Sequence, residues 1–405
     1  MRHTLILIYL LCLSPLAALA SYDKPPIPGD WQLSFSDDFD NLDTNKWNTS
    51  LPRGRVQLGG SICLFLDENI TTANGNLVIS SNQGKHQLTD IKGQKFQRNY
   101  HSGQINSFGK FTQQYGYFEA RMKLPKSAGL WPAFWLMPNR VVPQAWSTFN
   151  IDGTKGMEID IMEHLSEWGP NQFHYAAHWN GYRKTRQSMG ERYSVSHDAP
   201  GGYRKFGLYW QEGLLIWFID DIEVERWTNP RIANIPMHMI ISTEMGGWAT
   251  DDFGKLPDHT YVDYVRVWTG EAQLNPIQEY NIDTAELSGK WKKKKNYLES
   301  KKAWFKKDRT NSISWDIAIK EAGLYRVSAK WPQSKKKLAE DLSFIITHGS
   351  GITEVKVNQN QDCNYWHPLG EFELGQGLEH LVITSKAKDR VVIESVRYEL
   401  IKPRS

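Results

Sequence analysis

The chain has 405 residues, 23% charged and 40% hydrophobic, with a formal net charge of +3. That composition excludes a membrane-embedded body and wholesale disorder, and the small net charge excludes a whole-chain field for nucleic acid. Its 17 Trp, 17 Tyr and 16 Phe exceed what a core needs, and their flat apolar faces suit sugar rings as well as bases.

The chain opens with a short basic start, Met1-Arg2-His3, then an apolar run from Thr4 to Leu16, then Ala18-Leu19-Ala20. That order is the pattern of a signal peptide over residues 1–20, so export to the extracellular space or periplasm is expected. Cys12 leaves with the leader and has no lipobox before it. Cys63 and Cys363 are then expected as two buried free thiols, not a bridge.

From about Trp31 to Trp268 the chain reads as many short strands. Leu77–Ser80, Gly116–Leu124, Phe206–Trp210, Leu215–Ile219 and Tyr261–Trp268 alternate β-branched or aromatic residues with others and end in Gly, Pro, Asn or Asp. Leu215–Ile222 and the following Glu223-Val-Glu predict a hairpin turned on Asp220-Asp221. No stretch shows a helical period. Many strands without crossover helices predict an all-β protein, a two-sheet sandwich or jelly roll.

The strand pattern stops between Gly270 and Pro276, where the charge balance also changes. Lys+Arg number 25 against 28 Asp+Glu up to Gln278, then 23 against 17. We therefore expect one domain over 21–272 and a smaller β-sandwich over 277–402. The Lys292–Lys295 and Lys335–Lys337 runs are expected to be solvated loops.

The segment that carries chemistry is Glu158-Ile-Asp160-Ile-Met-Glu163. On a regular strand Glu158 and Asp160 share a face, whereas Glu163, five residues on, points away. A β-bulge near Ile161-Met162 brings it back. Three carboxylates on one face repel and raise at least one pKa. A retaining glycosidase requires such a set: one carboxylate attacks the anomeric carbon and another, held protonated, protonates the leaving oxygen. Glu158 is assigned as nucleophile, Asp160 as modulator of the pair and Glu163 as acid/base; a solvated acidic edge is the bland alternative.

The resemblance extends well beyond this hexapeptide. Phe35–Asp40 with Lys46-Trp47, Gly75–Ile79, Ser102–Ile105, Gly116–Arg121, Gly129–Trp135, the acidic strand, Gly246-Gly-Trp248 and Val262–Val267 follow one another in order. The region Trp31–Trp268 resembles glycoside hydrolase family 16, the laminarinase, lichenase and agarase group of jelly-roll enzymes. The resemblance implies an endo-acting retaining β-glycanase and carries the three acid roles over position by position. It implies that Trp131 and Trp135 line the cleft near the cleavage point, where they suit sugar stacking; plain core packing fits one of them as well. His178, on the next cleft strand, is a candidate to bond a sugar hydroxyl or the nucleophile. Trp248, after a Gly-Gly turn, is a candidate stacking platform; Glu244 upstream is a candidate to bind a sugar hydroxyl, with a surface or ion-paired role preferred.

His101, His164 and His174 show no metal-ligand spacing with a cysteine, so no metal ligands are assigned. No cofactor is required. A structural Ca²⁺ is common in the family, but no ligand loop for one is evident. The implied partner is a polysaccharide, with no nucleic acid or membrane, bound by a monomer. A β-1,3- or β-1,3(4)-glucan is the preferred substrate. A red-algal galactan (agar, porphyran or carrageenan) is the alternative, suited by Arg183, Lys184 and Arg186; a non-catalytic glycan binder on the same fold and a transglycosylase are the others.

The tail contains Gly323–Trp331, Val355–Gln359, Trp366–Gly370 and Val391–Tyr398. It is similar to the golvesin-type β-sandwich found behind bacterial secreted enzymes. Trp291, Trp304, Trp315, Trp331 and Trp366 suggest a carbohydrate-binding accessory; a spacer with tryptophans in its core is the equal alternative.

Overall fold

A computed structural model describes residues 23–51, 60–89, 93, 95–138, 156–181, 184, 186–288, 291–295, 302–306, 312–384 and 390–404. The leader over 1–20 and Arg183 lie outside the described residues, as do the side chains of Lys292–Lys295 and Trp304. Among the described residues the regular elements are strands and short 3-10 turns, and no helix is long and apolar enough to cross a membrane.

Residues up to Thr269 build two antiparallel sheets, apart from one parallel pairing of Cys63–Phe65 with Lys95–Ser102. One sheet has ten strands, including Gly116–Lys123, Arg204–Gln211, Leu214–Ile219, Ile222–Thr228 and Asp258–Thr269. The other has six, in the spatial order Gln187–Ser194, Gln172–Trp179, Glu158–Glu163, Leu130–Pro138, Met237–Met245, Gln104–Asn106. Alternation sends one face of each sheet inward. Phe118, Ala120, Met122, Leu208, Trp210, Trp217 and Val265 meet Phe134, Leu136, Ile159, Phe173, Met239 and Ile241 in one apolar core. The hairpin on Asp220-Asp221 is present, with φ of 48° and 69°. Left-handed conformations at both central residues match the strand twist, and Asp tolerates them.

Residues from Ile277 onward form further small sheets around a second core, which contains Trp315, Trp331, Phe344, Ile346 and Tyr398. Trp315, Trp331 and Trp366 are buried there, and Trp291 packs partly buried against that core. Trp315, Trp331 and Trp366 thus pack the interior. Lys335, Lys336 and Lys337 are exposed, as expected of a solvated loop, whereas Lys292–Lys295 belong to the strand Trp291–Lys295, paired with Lys302–Lys306, and not to a loop.

The second unit is seated on the open side of the first. Segment 361–365 runs along the edge strand Gln187–Ser194. The Ser194 N–H donates to the Cys363 carbonyl (3.0 Å), the Asn364 amide donates to the Arg192 carbonyl (2.7 Å), and the Ser196 hydroxyl donates to Asp362 (2.6 Å). Tyr365 joins the sandwich core itself. Two buried ion pairs cross the joint, Lys330–Glu225 at 2.6 Å and Arg397–Glu223 at 2.5 Å. An otherwise unpaired sheet edge is thereby satisfied from within the same chain. Both described cysteines are free and buried.

Candidate active site

The acidic strand pairs with both neighbours through an irregularity at the expected place. Toward Leu130–Pro138, Phe134 faces Met162 and Trp135 faces Asp160; toward Gln172–Trp179, His174 faces Glu163 and Ala176 faces Asp160. One residue of the pair Ile161-Met162 is out of step, and both side chains lie in the core. The bulge therefore brings Glu163 onto the outer face with Glu158 and Asp160.

Opposed residues of an antiparallel pair share a face, so register names the surroundings of each acid. Glu163 has His174 and Ala133 beside it, Asp160 has Ala176 and Trp135, and Glu158 has His178. Beyond Ala176 lies Gly190. A Cβ at Gly190 would stand 2.5 Å from the Tyr175 carbonyl oxygen and 2.9 Å from the Ala176 Cβ. Small residues are thus enforced next to Asp160 and leave room there.

The acids are held from several sides. Trp131 Nε1 donates to Glu163 Oε1 (3.1 Å), and His174 Nδ1 lies 3.0 Å from Glu163 Oε2. His178 Nε2 lies 3.1 Å from Asp160 Oδ2 and 4.0 Å from Glu158 Oε1. Arg186 Nη2 lies 3.0 Å from His178 Nδ1. A guanidinium has only donors, so Nδ1 accepts and the imidazole proton sits on Nε2, toward the two carboxylates. An oxygen of Glu158 and one of Asp160 approach within 4.8 Å. Trp217 Nε1, from the opposite sheet, donates to the Asp160 carbonyl (3.0 Å) and ties the strand to the core.

Burial, reinforced by Glu163, pushes Asp160 well above the usual carboxylate range, and Arg186 opposes that rise. Burial lowers His178, although Glu158 pulls the other way. A protonated Asp160 beside a neutral imidazole spares this face a second buried negative charge.

The four predicted binding residues divide. Trp131 and His178 touch the acids directly. Trp248 is 43% exposed and meets the rings of Trp131, Trp168 and His174 edge-on, at 5.4, 5.3 and 5.2 Å. Trp135 lies on the same face but is only 5% exposed, bonded to the Ser242 hydroxyl at 3.2 Å and packed with Cys63, Phe65 and Ile240. Trp135 is thus packed into the floor of this face, with Cys63 and Phe65 against it. Glu244, opposite Trp131 in register, is 4% exposed and so is no surface residue.

Sequence reasoning missed three neighbours. His174 was weighed only as a metal ligand; its register with Glu163 follows from the bulge. Trp168 stands on a 3-10 turn, Ser166–Trp168, with no periodic signal. Arg192 lies 5.0 Å over the Trp168 ring and donates to Gln333 of the second unit (3.1 Å). Only the alternation Gly190, Arg192 on the edge strand hints at its outward placement.

A jelly roll with a bulged acidic strand on its outer face, flanked by tryptophan, has the architecture of a carbohydrate-active protein. Residues 31–270 match the family described as the GH16 domain of β-porphyranases A–D, and 277–399 match the golvesin C-terminal domain. The chain belongs to glycoside hydrolase family 16. It is 31% identical to an endo-1,3-1,4-beta-glycanase (EglC) of Rhizobium meliloti, over 43% of this chain and 34% of that protein. It is 29% identical to a beta-glucanase of Rhodothermus marinus, over 66% of this chain and 94% of that protein. The chain spans about a third of the length of the first curated relatives it matches. Among solved structures, the catalytic domain of an endo-1,3-beta-glucanase (laminarinase) from Thermotoga petrophila superposes with a TM-score of 0.51 at 29% identity, covering 60% of this chain and all of that one.

Proposed function

We propose that this chain is an exported, endo-acting retaining β-glycanase that hydrolyses internal β-linkages of a polysaccharide by double displacement. The observation that carries the reading is the bulge, which sets Glu158, Asp160 and Glu163 on one face. Glu158 attacks the anomeric carbon while Glu163 gives its proton to the departing glycosidic oxygen. Glu163, now ionised, then takes a proton from water, whose oxygen displaces Glu158. Glu163 must be stable in both states. Trp131 fixes one of its oxygens, and His174, by choice of tautomer, accepts from the acid or donates to the carboxylate. With Asp160 protonated and His178 neutral, the one negative charge of this group rests on Glu158, so the nucleophile is the ionised member.

A β-1,3- or β-1,3(4)-glucan is the first substrate reading, supported by the glucanases among its relatives. A sulfated galactan is the second, and two observations favour it. The matched family is that of β-porphyranases. Two guanidinium groups, Arg186 against His178 and Arg192 over Trp168, also stand on the acid-bearing side, where a sulfate ester is held bidentately.

Reducing-end release from laminarin, lichenan, agarose, porphyran and carrageenan tests both. Turnover of laminarin or lichenan selects the glucan and turnover of porphyran or carrageenan alone the galactan, while binding without turnover rejects the enzyme reading. On the active substrate, early product carries the β anomer, and Glu158→Gln lowers kcat by at least about 10³-fold with unchanged circular dichroism.

A further inference from the structure

Away from the acid-bearing face, the turn Asp67–Asn69 meets the long hairpin of Asn76–Thr89 and Lys95–Ser102. Three donors, one from the turn and one from each strand of the hairpin, converge there. One donor atom each of Glu68, His86 and His101 lies within 4.8 Å of the other two. His86 Nε2 is 3.7 Å from Glu68 Oε1, and the two imidazole centroids are 4.2 Å apart.

The neighbours orient this cluster. The Asn69 amide nitrogen is committed to donating to the Ser80 carbonyl (2.7 Å), so Asn69 Oδ1 accepts, at 2.7 Å, from His101 Nδ1. That fixes the tautomer: His101 Nε2 carries the lone pair. A Cβ on Gly84 would lie 3.0 Å from His101 Nε2 and 3.6 Å from His86 Nε2, so both nitrogens look toward the one position that has no side chain. His101 is buried, so its ring is held in place by its neighbours. A second-sphere carbonyl acceptor on the far nitrogen of a buried histidine is the arrangement that metal-binding imidazoles use.

We propose that Glu68, His86 and His101 form a zinc-class metal site that staples the hairpin to the turn before it. A tetrahedral ion at about 2.0–2.1 Å from each donor needs donors roughly 3.4 Å apart. The Glu68–His86 separation already approaches this, and those two side chains, 62% and 34% exposed, are free to close the remainder. Two imidazoles and one carboxylate select a borderline ion such as Zn²⁺ over Ca²⁺, which takes oxygen ligands. Spacing to cysteines concealed the site, because its ligands come from a turn and two strands.

Calorimetric titration of the chelator-treated full chain with Zn²⁺ and with Ca²⁺, paired with thermal melts, is the test. One equivalent of Zn²⁺ binds and raises Tm, while Ca²⁺ at the same concentration does neither. His86→Ala, at a half-exposed position, weakens Zn²⁺ at least about 100-fold, and Asn69→Ala weakens it about 10- to 100-fold by releasing His101. His178→Ala, in the other cluster with ligand-like geometry, leaves the affinity unchanged. Absence of Zn²⁺ binding in the wild type, equal binding by His86→Ala, or loss of binding in His178→Ala instead overturns the proposal.

Discussion

Asp160 carries the tension of the site. Its carboxyl is 4% exposed and stands beside Glu163, and its pKa is raised by burial and that neighbour. A carboxyl whose pKa is higher in the folded chain binds its proton more tightly there. Its contribution is therefore fully present below the unfolded value near pH 4 and is lost as pH rises through the folded value. Asp160→Asn removes the titration. Melting curves at intervals from pH 4 to pH 8 are expected to show the variant gaining on the wild type as pH rises, with little difference at the acid end. The same variant loses at least about tenfold in kcat, because the charge set around Glu158 is no longer tuned. A melting difference constant with pH would contradict the assignment.

At the scale of the element, the out-of-step residue decides which acids face outward. Exchanging the residues at 162 and 163 (Met162→Glu with Glu163→Met) moves the third carboxyl to a position whose side chain lies in the core. Turnover is expected to fall at least about 10³-fold, with several kcal/mol of stability lost to a buried charge. Deleting Ile161 restores plain alternation, in which positions two and four beyond Glu158 again share its face. That variant keeps measurable turnover, at about 2–5 kcal/mol for the lost core side chain. Reducing-end assays and chemical denaturation separate the two outcomes. This bulge was legible in the sequence because a five-residue offset cannot be reconciled with a period of two. The hairpin at Asp220-Asp221 was legible for the same local reason. His174, Arg192 and the Glu68 cluster were not, since each depends on which residues of distant strands come opposite one another. Trp135 shows the reverse limit: its face followed from alternation, but its cover, Cys63 and Phe65, comes from a strand of the other sheet.

At the scale of the whole molecule, the two units are joined by charges withdrawn from water. Lys330 is 1% exposed and is held strongly cationic by Glu225 and Glu394, which outweigh its burial. Tyr175 of the sandwich donates to the same Glu225 (3.1 Å). Lys330→Met leaves a buried carboxylate without its cation and is expected to destabilise the full chain by about 3–5 kcal/mol. The double variant Lys330→Met/Glu225→Gln recovers much of that. Guanidinium denaturation followed by tryptophan fluorescence measures both.

The seating of segment 361–365 bears on where this protein begins and ends as a physical object. A polypeptide stopped at Gly270, where composition changes, would keep Glu158, Asp160 and Glu163 yet bare the backbone of Gln187–Ser194 and open a hole where Tyr365 had been. Naked β-ribbon beside a missing aromatic ring invites self-association. The golvesin-like half thus serves as the lid of the hydrolase half's own interior, and the seam in the sequence is not a seam in the solid.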